Sequence, residues 1–128
     1  MTEPAPSPSG FDRQVALTRV GGDEDLLLEL TGVFLDGADG WLNDLRNAAA
    51  RGDAVALRRA GHTLKGSLSY FGADAAVAAA MRVEELAQAG DLAGAIAALP
   101  ELEQALERLT AALRVSVSGQ PSSRETPT

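Results

Sequence analysis

Apolar residues recur at spacings of three and four along most of this chain. No segment alternates with period two over a useful length, so the pattern predicts helices and no sheet. The interruptions are regular. Gly21-Gly22-Asp23, Gly52-Asp53, Gly72-Ala73-Asp74 and Gly90-Asp91 each combine a glycine able to end a helix in the left-handed conformation with an aspartate able to cap the next. They divide the chain into five helices.

The first, Asp12 to Val20, is short, carries Val15, Ala16 and Val20 on one side, and is expected to lie across one end of the others. The second begins at Asp23 and runs to Arg51, with Leu26, Leu27, Leu30, Val33, Phe34, Trp41, Leu45 and Ala48 as its buried stripe. Gly32, Gly37 and Gly40 weaken it, and a bend is expected near Gly37 to Gly40. The third, Asp53 to Phe71, turns Leu57, Ala60, Gly61, Leu64, Leu68 and Phe71 inward. The fourth, Asp74 to Ala89, has Val77, Ala80, Met81, Glu84 and Ala87 on one stripe with Val83 and Leu86 beside it. The fifth, Asp91 to about Arg114, repeats Leu92, Ile96, Leu99, Leu102, Leu106, Leu109 and Leu113, and Pro100 is expected to kink it. Short connections between long amphipathic helices make neighbours antiparallel. The predicted fold is all-α, an antiparallel up-and-down four-helix bundle with a short extra N-terminal helix.

Both ends fall outside this pattern. Residues 1–10 hold three prolines and 116–128 are rich in Ser, Pro and Thr, so both are read as disordered tails around a bundle spanning 11–115. A length of 128 residues suits one domain, and an apolar fraction of 45% with only 4% aromatic suits closely packed helices.

Charge and composition remove several functions. A net charge of −7 is the wrong sign for a nucleic-acid backbone partner. With no cysteine and one histidine, disulfides, thiolate metal sites and multi-histidine metal sites are excluded. No apolar run is long enough to cross a membrane and the N-terminus lacks a signal-peptide pattern, so no membrane partner and a cytoplasmic location are expected.

The single histidine carries the chemistry. On a helical wheel with Leu57 at zero, the inward residues cluster near zero while His62 falls at about 140°, pointing outward. Arg58, Arg59, Lys65, Gly66 and Ser69 surround it, so an acidic protein gathers cations about its only imidazole. Arg58 and Arg59 also suit solvent-facing pairs with carboxylates such as Asp53, while Gly61 suits close helix packing. Gly66 is harder to explain structurally, because a solvent-facing glycine inside a helix costs about 1 kcal/mol relative to alanine. Its benefit is access for another molecule's backbone. Phosphoryl capture fits: a neutral ring nitrogen is a nucleophile, and an ammonium one turn away stabilises phosphoryl oxygens. No glycine-rich nucleotide loop and no acidic magnesium cluster around His62 accompanies it, so donor and acceptor must bring the metal and remaining catalytic groups.

The segment from Ala60 to Ala73, AGHTLKGSLSYFGA, resembles the signature of histidine phosphotransfer (HPt) domains of multistep two-component signalling. Agreement extends to Phe11-Asp12, Gly21-Gly22-Asp23, Phe34-Leu35, Gly52-Asp53 and Glu84-Glu85-Leu86, covering about residues 11 to 113. Gly61 and Leu68 stand where the family often has alanine and a small residue.

The resemblance implies a monomeric phosphocarrier without autonomous kinase or phosphatase activity. It would accept a phosphoryl group on Nε2 of His62 from a receiver-domain aspartate of a hybrid sensor histidine kinase and pass it to a response-regulator aspartate. Lys65 would assist the phosphoryl group. Gly66, Ser69, Arg58, Arg59, Leu35 and Ala38 would meet the receiver, with Phe34 in the core. No cofactor is implied on this chain, and Mg2+ is expected on the partner receiver only. The alternative is a helical interaction module that binds a receiver or kinase without taking up phosphate.

Overall fold

The computed structural model describes residues 11–119, all of them in helices or their connections: α1 Arg13–Arg19, α2 Glu24–Arg51, α3 Ala54–Ser69, α4 Asp74–Gln88 and α5 Leu92–Gly119. The glycine-aspartate punctuation accounts for most of these limits. Asp12, Asp23, Asp53 and Asp91 turn a carboxylate oxygen back to accept a first-turn backbone N–H, at 2.8–3.2 Å. Gly52, at φ 65°, closes α2 in the left-handed conformation, its N–H directed at Ala48 and Ala49 carbonyls.

One of the four expected caps differs. Ala73 is the N-cap of α4 and makes no side-chain cap bond, so Asp74 lies inside the first turn, where its charge complements the helix dipole.

α2 runs unbroken through Gly37 and Gly40, and α5 runs unbroken through Pro100. α5 also continues past residue 115, where the bundle was expected to end. No proline or helix-ending signal lies between 115 and 119, and the helix reaches Gly119, the last described residue. The expected tails at 1–10 and 120–128 lie outside the described residues.

α2 packs on α3 and α5, α3 on α4, and α4 on α5, around a core in which Leu45, Leu57, Leu64, Leu68, Leu102 and Leu109 are fully buried. α4 presents mainly methyl groups inward, with Ala76, Ala79, Ala80, Val83 and Ala87 buried, so its neighbours come close. This rotates the expected α4 stripe: Met81 is exposed and Val77 only partly covered. On α2 and α5, Leu26, Val33 and Ile96 likewise face outward, and Thr31, Ala95 and Ala98 are the buried neighbours. α1 sits over the α3–α4 turn. The Asp12 N–H donates to the Phe71 carbonyl at 3.0 Å, and Gly72, at φ 61°, lies where a Cβ would strike Asp12 and Val15 at 2.8 and 3.0 Å. Phe11 rests on Phe71, Phe71 on Phe34 and Phe34 on Trp41, with ring centroids 5.1–6.3 Å apart.

No described helix is long and apolar enough to cross a membrane.

Candidate functional site

His62 stands on the outer face of α3 with its side chain 64% exposed, because the inward residues Leu57, Gly61, Leu64 and Leu68 use the opposite side of the same helix. Its ring is nonetheless held. Nδ1 lies 2.9 Å from Oε2 of Glu84 on α4, and the Lys65 ammonium lies 2.9 Å from Oε1 of the same carboxylate. Helical spacing puts Glu84 on one stripe of α4 with Val77, Ala80, Met81 and Ala87, and a lone carboxylate in such a stripe is the one signal in the sequence that marks it as a chemical group.

Glu84 is only 14% exposed and therefore needs its two donors. The hydrogen bond from Lys65 holds its carboxyl below the usual carboxylate range; partial burial opposes this, and the His62 hydrogen bond adds to it. An ionised carboxylate can only accept, so the hydrogen on the imidazole sits on Nδ1. Nε2 then carries the free lone pair, and it has no partner among the described residues. The arrangement offers an exposed ring nitrogen as nucleophile, a carboxylate to balance charge on the ring, and an ammonium one helical turn away.

The neighbours fall into place unevenly. Gly66 is exposed, and a Cβ there would meet nothing within 4 Å, so the surface one turn beyond His62 is bare. The Ser69 hydroxyl donates to the Gly66 carbonyl at 2.8 Å and is occupied within its own helix. Arg58 and Arg59 flank the ring one turn earlier. Neither pairs with a described carboxylate, and Asp53 faces Arg51 instead at 3.8 Å.

Ala38 is 4% exposed and cannot offer a contact surface, and Leu35 is half-buried against the core. The reason is the rotation of α2. With Phe34 at zero, Ala38 and Leu35 fall at about +40° and +100°, toward the flank where Arg46 reaches Glu103 of α5 at 3.1 Å. The opposite flank borders α3. There a largely apolar groove of about 460 Å³ runs between Leu30, Val33 and Trp41 on one wall and Thr63, Gly66 and Tyr70 on the other. A pocket of mixed lining and about 400 Å³, reaching Asp44, Asn47 and Arg59, continues it past Trp41. Val33, expected in the buried stripe of α2, is instead 62% exposed, and Tyr70, to which the sequence assigned no role, is 50% exposed.

No group of three or more His, Asp or Glu side chains among the described residues could hold a metal ion.

Comparison with known proteins is consistent with this geometry. The family model described as "Hpt domain" matches residues 29–112. Among solved structures, histidine-containing phosphotransfer protein B from Pseudomonas aeruginosa superposes with a TM-score of 0.80 at 27% identity, covering 88% of this chain and 97% of that one. The HPT domain of a sensor hybrid histidine kinase from Shewanella superposes at 0.79 and 18% identity, covering 87% and 96%. No curated protein matches the sequence.

Proposed function

The chain belongs to the Hpt domain family, whose members are phosphotransfer modules of two-component signalling, and from that premise we propose that His62 is the residue that carries the phosphoryl group. The observation that carries this reading is the state of the ring: Nδ1 engaged by Glu84, Nε2 open on an exposed side chain.

The step balances without an added base. The Nε2 lone pair attacks the phosphorus of an aspartyl phosphate on a receiver domain. The N–P bond forms as the bond from phosphorus to the aspartyl oxygen breaks, and the carboxylate leaves with its electron pair. No proton need be removed, since Nε2 bears none. The ring gains positive charge while keeping its Nδ1 hydrogen, and Glu84 lies beside that charge. Lys65, already at this site, stabilises the phosphoryl oxygens. Transfer onward to a second receiver reverses the sequence.

The bundle supplies no nucleotide loop, so the receivers bring Mg2+ and the acceptor carboxylate. The partners are receiver domains of a hybrid sensor kinase and of a response regulator, docking on the His62 face over Gly66, with Arg58, Arg59 and Ser69 at the edge. Leu30, Val33 and Tyr70 provide the apolar contact. The scaffold acts as a monomeric antiparallel bundle of α2 to α5, with α1 as the extra helix.

The test is incubation with a phosphorylated receiver. The expected product is an acid-labile, base-stable phosphate on the protein, absent in His62→Gln. Stable receiver binding without phosphate uptake would instead support a pure interaction module.

A further inference from the structure

Gly61 lies inside α3 and faces the backbone of a different helix, α4. A Cβ built there would lie 3.3 Å from the Ala80 carbonyl oxygen, 3.4 Å from the Glu84 backbone nitrogen and 3.5 Å from the Glu84 Cβ. Gly32, Gly40 and Gly66 would meet nothing within 4 Å, and the nearest atoms to a Cβ at Gly37 and Gly94 are those of Trp41 and Asp91, the former in its own helix and the latter just before its first turn. The close approach thus falls at the residue preceding His62, and what it approaches is the turn of α4 from Ala80 to Glu84, the residue that holds His62 and Lys65.

We propose that Gly61 is a positioning residue for phosphoryl transfer: its missing side chain sets the α3–α4 spacing at which one carboxylate reaches both Nδ1 of His62 and Nζ of Lys65. This rests on the reading of His62 as phosphoryl acceptor.

The atoms opposing an added methyl are mostly α4 backbone, which cannot rotate aside as a side-chain tip would. α4 must give by a few tenths of an ångström, and Glu84 moves with it. Both hydrogen bonds start at 2.9 Å, and such bonds weaken beyond about 3.2 Å. Lys65, with four side-chain torsions, follows the carboxylate. The His62 ring, with two, does not, so the Nδ1 bond loosens first and the tautomer with Nε2 unprotonated loses its advantage. Helix propensity predicts the opposite, since alanine is the better helix former at an interior site. A glycine with no role in spacing would therefore be improved by alanine in every respect.

The experiment compares full-length wild type, Gly61→Ala and, as a control for propensity alone, Gly40→Ala. His62 is the only histidine, so its ring nitrogens are unambiguous in ¹⁵N spectra recorded where the ring is neutral. The wild type is expected to show one protonated and one unprotonated nitrogen. In Gly61→Ala the two shifts converge, and phosphoryl uptake from a phosphorylated receiver slows roughly threefold to tenfold. Gly40→Ala changes neither. Placed in a Glu84→Ala background, Gly61→Ala has no further effect on the rate.

Unchanged ring shifts in Gly61→Ala, or an undiminished rate effect in the Glu84→Ala background, would overturn the proposal. If the wild type takes up no phosphate at all, the functional reading fails, and the ring spectra still decide whether Gly61 sets the spacing.

Discussion

Glu84 and His62 lie 22 residues apart in the chain and 2.9 Å apart in space, one carboxylate oxygen of Glu84 on Nδ1 of the ring and the other on Lys65. The pair connects two helices and makes the two ring nitrogens chemically different.

Removing the carboxylate should therefore cost reactivity more than fold. Glu84→Ala is expected to slow phosphoryl uptake by His62 on the order of tenfold to a hundredfold, the range for loss of a group that orients and balances a reacting centre. Glu84→Gln should be milder, since an amide oxygen still accepts the Nδ1 hydrogen but brings no charge. Rapid-quench measurement of transfer from a phosphorylated receiver checks both. Equal rates in all three proteins would contradict the role assigned to Glu84.

The same carboxyl makes stability depend on pH. Its folded-state value is held below its ordinary one, first by the Lys65 hydrogen bond, so it binds protons more readily unfolded than folded. Its contribution is complete above the ordinary carboxylate range, about pH 4.3, and is lost as pH falls below that through the folded value. Urea titrations should show wild type more stable than Glu84→Gln near neutrality, with the gap closing toward acid. A gap that widens on acidification would reverse the sign.

Gly66 should separate stability from docking. Nothing occupies the space around it, so Gly66→Ala is expected to stabilise the fold by up to about 1 kcal/mol, while the added methyl intrudes on the receiver and raises KM for transfer. Thermal melts and saturation kinetics on the same samples test this. A variant that is stabilised with KM unchanged would show that the receiver's backbone does not approach there.

Val33, 62% exposed in the groove wall, offers a test of where the partner lands. Val33→Asp should change stability by about 0.5 kcal/mol or less and weaken receiver binding severalfold. Leu35→Asp should instead destabilise the fold, because Leu35 packs against the core. Trp41, the only tryptophan, lines the groove, so its fluorescence should shift on receiver binding and report the titration directly.

Local signals in the sequence accounted for the helix starts almost to the residue, because a cap and the turn it closes lie within a few positions of one another, while the ends of α3 and α5 were less well placed. Asp12, Asp23, Asp53 and Asp91 cap the turns they precede, and Gly52 closes α2. The exception, Asp74, shows the limit, since a cap depends on which residue leaves helical geometry first. The outward aim of His62 was legible too, because the leucines of α3 leave only one side for it.

Rotation about the helix axes was less legible. Apolar spacing alone assigns Val33, Met81 and Ile96 inward, and the family resemblance places Ala38 at the receiver contact; the packing reverses all four. An alanine-rich chain has many stripes of nearly equal hydrophobicity, so small faces such as Ala76, Ala79 and Ala80 win by permitting closer approach instead of greater apolarity.

What the sequence by itself determined is the set of helices, their order, and an exposed imidazole with a lysine and a bare glycine one turn away, all of which depend on residues adjacent along the chain or along one helix. Only the tertiary structure decided that Glu84 reaches that imidazole, that Gly61 faces the α4 backbone beside Glu84, and that the groove runs along the Val33 flank of α2. Those are distances between atoms on different helices, set by how side chains of unlike volume fill the space between them, and no periodicity within a single helix encodes them.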